Sequence, residues 1–341
     1  MSNQEKNPSG VFHGVHDIRV DNLPFPEVTA DAVLIKVAMA GICGSDIHFY
    51  HQPMVPEGSV LGHEFCGTIV EVGTNVTEFS IGTRVVVNPT IQGTGLGSNP
   101  GGFADYVLIN NAKLGIDVFP IPETISDEQG AMMEPLSVGL SAVNLAQVKT
   151  SDNVVIFGAG TIGLTVLASL GALDVKNVVI SDISDARLEI ARTLGAKYTF
   201  NPIKDGDISV FLKETFGKTS NLFYQKEIPN VQVVFDCAGV PAIFAQGIEI
   251  LAPKGQYIVL AIYSKKAEID PLSLVNCMLS IKGILAFSSA EMQQAIELVA
   301  AGKIDLTPIV SHRFALSKLP EAFEVQADSK LSVKVLVRPG S

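Results

Sequence analysis

The 341-residue chain is 47% hydrophobic and 17% charged, which is enough apolar surface to offset the ordering entropy of a compact fold, and it exceeds what one core usually organises. Two domains are expected, with disorder confined to the ends. A formal net charge of −11 repels nucleic acid and anionic membrane surfaces alike, so neither is an expected partner and small molecules are.

The polar start MSNQEKNPSG lacks the apolar run of a signal peptide, and no stretch reaches the roughly 20 apolar residues of a membrane helix, so a soluble, cytoplasmic protein is expected. The four cysteines, Cys43, Cys66, Cys237 and Cys277, form no CxxC pair. Disulfides and an all-cysteine zinc site are therefore not expected.

Over about the first 130 residues, short β-branched runs alternate with glycines, as in AVLIKVAMAG (32–41), GTIVEVG (67–73) and TRVVVNP (83–89). This texture predicts an antiparallel, twisted β domain. It changes near Met132, where PLSVGLSAVNLAQV (135–148) has helical apolar spacing and NVVIFG (153–158) reads as a strand. A helix near 161–171, a strand NVVISD (177–182), a helix ARLEIARTLGA (186–196) and strands VQVVFDCAG (231–239) and GQYIVLA (255–261) continue the alternation. Strands alternating with helices imply parallel βαβ units. Residues 213–230 read as a surface excursion. From about Ser289 come an amphipathic helix (291–304), polar segments and a final strand SVKVLV (332–337), a tail that returns to the β domain.

The segment NVVIFGAGTIGLTVLASLGA places Gly158, Gly160 and Gly163 after an apolar strand and at the start of a helix, with Thr161 and Ile162 inside the loop. Gly158 serves the tight turn, Gly160 the close approach of a pyrophosphate, and Gly163 helix–strand packing. The helix N-terminus offers free N–H groups and a favourable dipole to phosphates. Asp182 ends the next strand nineteen residues after Gly163, where an acid accepts hydrogen bonds from adenosine ribose hydroxyls and repels a 2′-phosphate. No arginine follows at once, Arg187 being the next. NAD rather than NADP is the expected dinucleotide, and these residues are the candidate cofactor set.

In the first domain, GICGSDIHFY (41–50) and LGHEFCG (61–67) bring a thiol, imidazoles and carboxylates near glycines. Zinc accepts such a mix of S, N and O ligands, and a catalytic zinc keeps one position open. Singly, Cys43 reads as a small buried hydrophobe, His63 as a core histidine and Glu64 as a surface acid.

Together with the glycine loop, the motifs CGSDIH (43–48), GHE (62–64), GGFADYV (101–107), MEPLSV (133–138), GAGTIG (158–163) and VVFDCAG (233–239) occur in the order of one family. The chain resembles the zinc-dependent medium-chain dehydrogenases over nearly its whole length, in particular the branch of sorbitol, polyol and secondary-alcohol dehydrogenases. The resemblance implies an α/β protein with a GroES-like twisted β catalytic domain (1–137 and 288–341) and a Rossmann, doubly wound parallel sheet binding NAD (138–287). It implies one catalytic zinc on Cys43, His63 and either Glu64 or Glu134, directly or through water, and a proton relay through Ser45 and His48. The relay suits the chemistry, because an activated alcohol must lose its proton before a hydride can leave its carbon. Asp46 is expected to orient the loop, with His63 as its partner.

The chain departs from the family in two places. Many relatives carry four closely spaced cysteines for a structural zinc, where this chain has TIQGTGLGSNP (90–100), so no structural zinc is expected. Relatives acting on long polyols place an arginine where Ala286, Phe287, Ser288 and Ser289 stand, which favours a smaller secondary alcohol or a diol as the alcohol/ketone substrate. Phe49, beside the relay histidine, lines the pocket or packs in the core. The segment 270–287 resembles the family's edge strand between cofactor domains, implying a homodimer or homotetramer, with a buried internal strand as the alternative. Two other functions are open on the sequence: a zinc-free NAD(P)H quinone or enone reductase of the same fold, and a non-catalytic NAD-binding sensor.

Overall fold

The computed structural model describes residues 6–328, 330 and 332–340; residues 1–5, half of the polar N-terminal segment, and positions 329, 331 and 341 lie outside the described residues. The chain divides into two units, Met1–Pro135 with Ser288–Ser341, and Leu136–Phe287.

The first unit opens with an antiparallel hairpin of β1 (Lys6–Gly14) and β2 (Asp17–Pro24). β3 (Val33–Gly41) leads into α1 (Gly44–His51), and β4 (Glu64–Val72), β5 (Arg84–Val87), β6 (Tyr106–Ile109) and β7 (Val118–Pro120) follow. Then come α2 (Asp127–Ala131) and α3 (Met133–Ala146), along which the chain passes from the first unit into the second. A capping box between Ser126 and Gln129 fixes the start of α2.

In the second unit β8 (Val154–Phe157), α4 (Thr161–Ala172), β9 (Val178–Ser181), α5 (Asp185–Thr193) and β10 (Tyr198–Phe200) alternate. α6 (Ile208–Phe216) precedes a small hairpin, β11 (Lys218–Ser220) and β12 (Glu227–Pro229), within the expected surface excursion. β13 (Val231–Asp236), α7 (Pro241–Glu249), β14 (Leu251–Val259), α8 (Pro271–Cys277) and β15 (Ser280–Gly283) complete it. The strands form one parallel sheet in the order β10-β9-β8-β13-β14-β15. β8 and β9 are buried along their whole length, as strands covered on both faces must be, and Val155, Phe157, Val179 and Val234 share one core. Strand order reverses between β8 and β13, and in open parallel sheets ligands bind at the carboxyl ends of the strands at such a point.

The chain then returns to the first unit through α9 (Ser289–Ala300), β16 (Val310–Ala315), α10 (Leu319–Ala327) and β17 (Lys334–Arg338). The expectation of polar segments between α9 and the last strand is corrected here. Leu319, Ala322 and Phe323 recur at helical spacing and are buried, so α10 packs on the β core. α10 also supplies the crossover that lets β16 and β17 pair in parallel, the one parallel ladder in a sheet otherwise antiparallel in the order β16-β17-β3-β4-β5-β7.

Register makes the first unit's site. Gly41 pairs with Glu64 on one side and with Leu336 on the other, so the end of β3, the start of β4 and the start of β17 meet at one edge of the sheet. Gly41 leaves room there for the buried Glu64 carboxylate, which a Cβ on it would crowd.

Candidate metal centre and dinucleotide loop

Cys43 stands at the start of α1, two residues beyond β3, and its backbone N–H donates to Asp46 Oδ2 at 2.9 Å. His63 precedes β4 on a turn that Gly62 enters at φ +92°, a conformation only glycine adopts freely. The GGF segment holds that turn: Gly102 N–H donates to the Gly62 carbonyl at 2.6 Å and Phe103 N–H to that of Leu61 at 3.2 Å. One ligand atom from each of Cys43, His63 and Glu64 then lies within 4.8 Å of the others. Ser45 Oγ is 3.4 Å from His63 Nε2, and Asp46 Oδ1 is 3.6 Å from His63 Nδ1. His48 lies one turn further along α1, half-buried and outside the three-donor set, while Phe49 packs against the β core.

The charges explain why a cation suits this place. Asp46, Glu64 and Glu134 are all buried, and so is His63. Burial pushes the Glu134 carboxyl up to about 7, with Glu64 adding to the rise and His63 and Lys334 opposing it. Burial works against a proton on His63, yet the nearby Asp46 and Cys43 outweigh it and hold the imidazole well above its usual range. The anions that favour a proton there equally favour a divalent cation, and the S, N and O donors match zinc. Glu134 lies outside the compact three-donor set although its charge is felt there.

One residue of this site was not anticipated. Lys334, the first residue of β17, is buried, and its Nζ donates to both Glu64 oxygens at 2.8 and 2.6 Å and to the Ile42 carbonyl at 3.0 Å. Burial lowers its pKa, but the charges of Glu64 and Cys43 and the bonds to Glu64 more than reverse this. The signal was the lone charge in the apolar run SVKVLV, which an alternating strand aims inward or outward according to a register that the sequence leaves open.

In the second unit, Gly158 has φ +96°, and a Cβ on it would lie 3.0 Å from the Cys237 backbone. A Cβ on Gly163 would collide with the Gly158 carbonyl. Gly160 caps α4, which Thr161 and Ile162 open, and the space above Gly160 is bordered by Arg187 Nη1 at 3.6 Å. Asp182 accepts from Ala159 N–H at 2.7 Å and from Ser184 N–H at 2.8 Å, tying the end of β9 to the glycine loop.

Comparison with known proteins bears on both halves. The profile described as "Alcohol dehydrogenase GroES-like domain" matches residues 29–123, and that described as "Zinc-binding dehydrogenase" matches 160–301. The chain is 32% identical to (R,R)-butanediol dehydrogenase of Bacillus subtilis (strain 168), over 96% of this chain and 98% of the relative. It is 29% identical to sorbitol dehydrogenase of Bos taurus, over 98% and 96%. The crystal structure of 2R,3R-butanediol dehydrogenase from Bacillus subtilis superposes with a TM-score of 0.88 at 30% identity, over 98% of this chain and all of that one. Among the described residues, no helix is long and apolar enough to cross a membrane.

Proposed function

The chain belongs to the zinc-binding, GroES-like alcohol dehydrogenase family, and from that premise we propose that it transfers a hydride between NAD(H) and a polyol, diol or secondary alcohol, using one zinc. The observation that carries this reading is the thiol–imidazole–carboxylate set of half-buried Cys43 and buried His63 and Glu64 within 4.8 Å. A cation-binding centre of that kind is what the chemistry of alcohol oxidation needs and a quinone reductase or a silent sensor does not.

Cys43, His63 and Glu64 would hold the metal, with Glu134 as a further carboxylate whose charge is felt there. Asp46 faces His63 Nδ1 and keeps the ring oriented, so that Nε2 would be the nitrogen open to a metal. Bound zinc supplies the Lewis acidity that favours loss of a hydroxyl proton, and bound NAD supplies the hydride acceptor. Ser45 Oγ takes the hydroxyl proton, and His48 passes it outward from the next turn of α1. The segment 90–100, which has no cysteine to offer a second zinc, is tied by side-chain bonds: Gln92 donates to Asp117 at 2.6 Å and to the Asn110 carbonyl at 2.7 Å, and Asn99 donates to the Gln92 carbonyl at 2.5 Å.

The substrate is a small vicinal diol or secondary alcohol, since Ala286 and Phe287 offer no cation to a long polyol. The class matches the name carried by the Bacillus subtilis relative. Zinc analysis of the purified protein, with NAD reduction assayed against polyols, vicinal diols and simple secondary alcohols, tests this. One zinc per chain and best turnover of a short diol are expected, whereas activity in a zinc-free preparation refutes the reading.

Asp182→Ser tests the dinucleotide. Removing the acceptor of the ribose hydroxyls raises KM for NAD by about 10- to 100-fold and admits NADP, because the loss of hydrogen bonds to a charged group and of a repelling charge act together. An unchanged NAD/NADP preference would sink this assignment.

The homodimer or homotetramer is proposed on β15. Among the described residues no strand pairs with its outer edge, and Val275 and Leu285, before and after it in sequence, are 71% and 96% exposed. Ile281→Lys in that strand should shift the sedimenting species to monomer, and an unaltered assembly would place the interface elsewhere.

A further inference from the structure

Asp236, the last residue of β13, is a wholly buried carboxylate. Its Oδ1 accepts from the N–H groups of Ala238 at 3.0 Å and Gly239 at 3.1 Å, and its Oδ2 accepts from the hydroxyls of Tyr257 at 2.8 Å and Tyr263. Its own carbonyl accepts from Leu260 and Ala261 N–H, each at 3.0 Å. One residue therefore gathers the turn after β13 and the turn after β14. Burial and the Asp236 charge raise both tyrosine pKa values, so both hydroxyls stay protonated donors through the neutral range.

The place matters as much as the bonding. β13 neighbours β8 across the reversal of strand order, and both turns lie at carboxyl ends, where this kind of sheet receives its ligand. The Cys237 backbone backs Gly158 of the glycine loop, and Gly239, at φ +68°, sits so that a Cβ would meet the Ile262 carbonyl at 3.0 Å. The post-β13 turn is thus wedged between the glycine loop and the post-β14 segment.

The two tyrosines differ in what holds them. Tyr257 lies in β14, has no exposed surface, and is fixed by the sheet and by Phe244. Tyr263 lies past the end of β14 in irregular chain, is partly exposed, and touches Phe244 only edge-on at 6.3 Å. Its hydroxyl bond to Asp236 is therefore the side-chain tie on this segment, beyond the backbone bonds that Leu260 and Ala261 make at its start.

We propose that Asp236 and Tyr263 are positioning residues for the dinucleotide, Tyr263 latching the post-β14 segment onto the post-β13 turn so that the crevice beside the glycine loop is formed before the nucleotide arrives. The proposal rests on the NAD reading above. A segment ordered in advance spares the nucleotide the cost of ordering it, so the latch acts on affinity.

The test is titration of the intact protein with NADH, followed by nicotinamide fluorescence, which the tryptophan-free chain leaves unobscured, beside melting without nucleotide. Tyr263→Phe should weaken NADH binding about tenfold, the scale of one bond to a charged acceptor, and raise KM for NAD with little change in kcat or in melting temperature. Tyr257→Phe should do the reverse, lowering the melting temperature while NADH affinity stays within about twofold. Equal NADH affinity in Tyr263→Phe and the parent overturns the latch, and so does a loss of affinity in both variants that follows their loss of stability. Failure of the parent itself to bind NADH removes the NAD reading, a result readily told apart from the others.

Discussion

His63→Ala is expected to lower kcat/KM by at least about 10³-fold and to leave the purified protein without zinc, while NADH binding persists. The magnitude follows from the several kcal/mol that Lewis-acid stabilisation contributes to such a step. Three observations make His63 the sensitive point. It is buried, Ser45 Oγ stands 3.4 Å from its Nε2, and Asp46 faces its Nδ1 at 3.6 Å, and it is the one imidazole in the three-donor set found among the described residues. Cys43→Ala should behave alike, because it removes the sulfur donor of the same set. Chelation of the parent followed by zinc should restore its turnover, whereas neither variant should recover. Retained turnover in zinc-free His63→Ala would refute the metal assignment. The dinucleotide loop belongs to the other unit, so NADH titration of each variant reports that unit, and a melting curve that keeps both units' transitions separates a lost metal from a lost fold.

What the sequence reveals of this molecule depends on how local each constraint is. The glycine loop is legible because Gly158 and Gly163 answer to steric demands within a few residues: one needs a positive φ, and the other leaves no room for a Cβ. The strands β8 and β9 are legible because burial on both faces writes a continuous apolar run. Cys43 and His63 are visible as residue types, but what joins them is the pairing of Gly41 with Glu64, a register between strands. Lys334 escapes altogether, its partner Glu64 standing 270 positions away. Tyr257 and Tyr263 escape for the same reason, since nothing near them in sequence says that both turn toward Asp236. The helix α1 is also missed, because Gly44–His51 is short and carries little apolar periodicity, and its role is to present Cys43, Ser45 and His48 from one turn to the next.

Lys334→Met should destabilise the metal-free protein by about 3–5 kcal/mol, the cost of leaving one partner of a buried ion pair uncompensated, which corresponds to a fall in Tm on the order of 10 °C. The side chains of Lys334 and Glu64 are 2% and 1% exposed, so water cannot replace the lost cation, and the Ile42 carbonyl loses its donor as well. Methionine fills similar volume, so packing changes little and the effect reads charge. Two controls separate this from a general defect. In Glu64→Gln with Lys334→Met the buried charge is gone, so most of the lost stability should return, a coupling that only neighbours in one network show. In the zinc-loaded protein the penalty should shrink, because Glu64 again faces a cation. Equal melting of Lys334→Met and the parent after chelation would mean that the Lys334–Glu64 contact contributes nothing to the metal-free fold, and the charge balance argued for this site would fail.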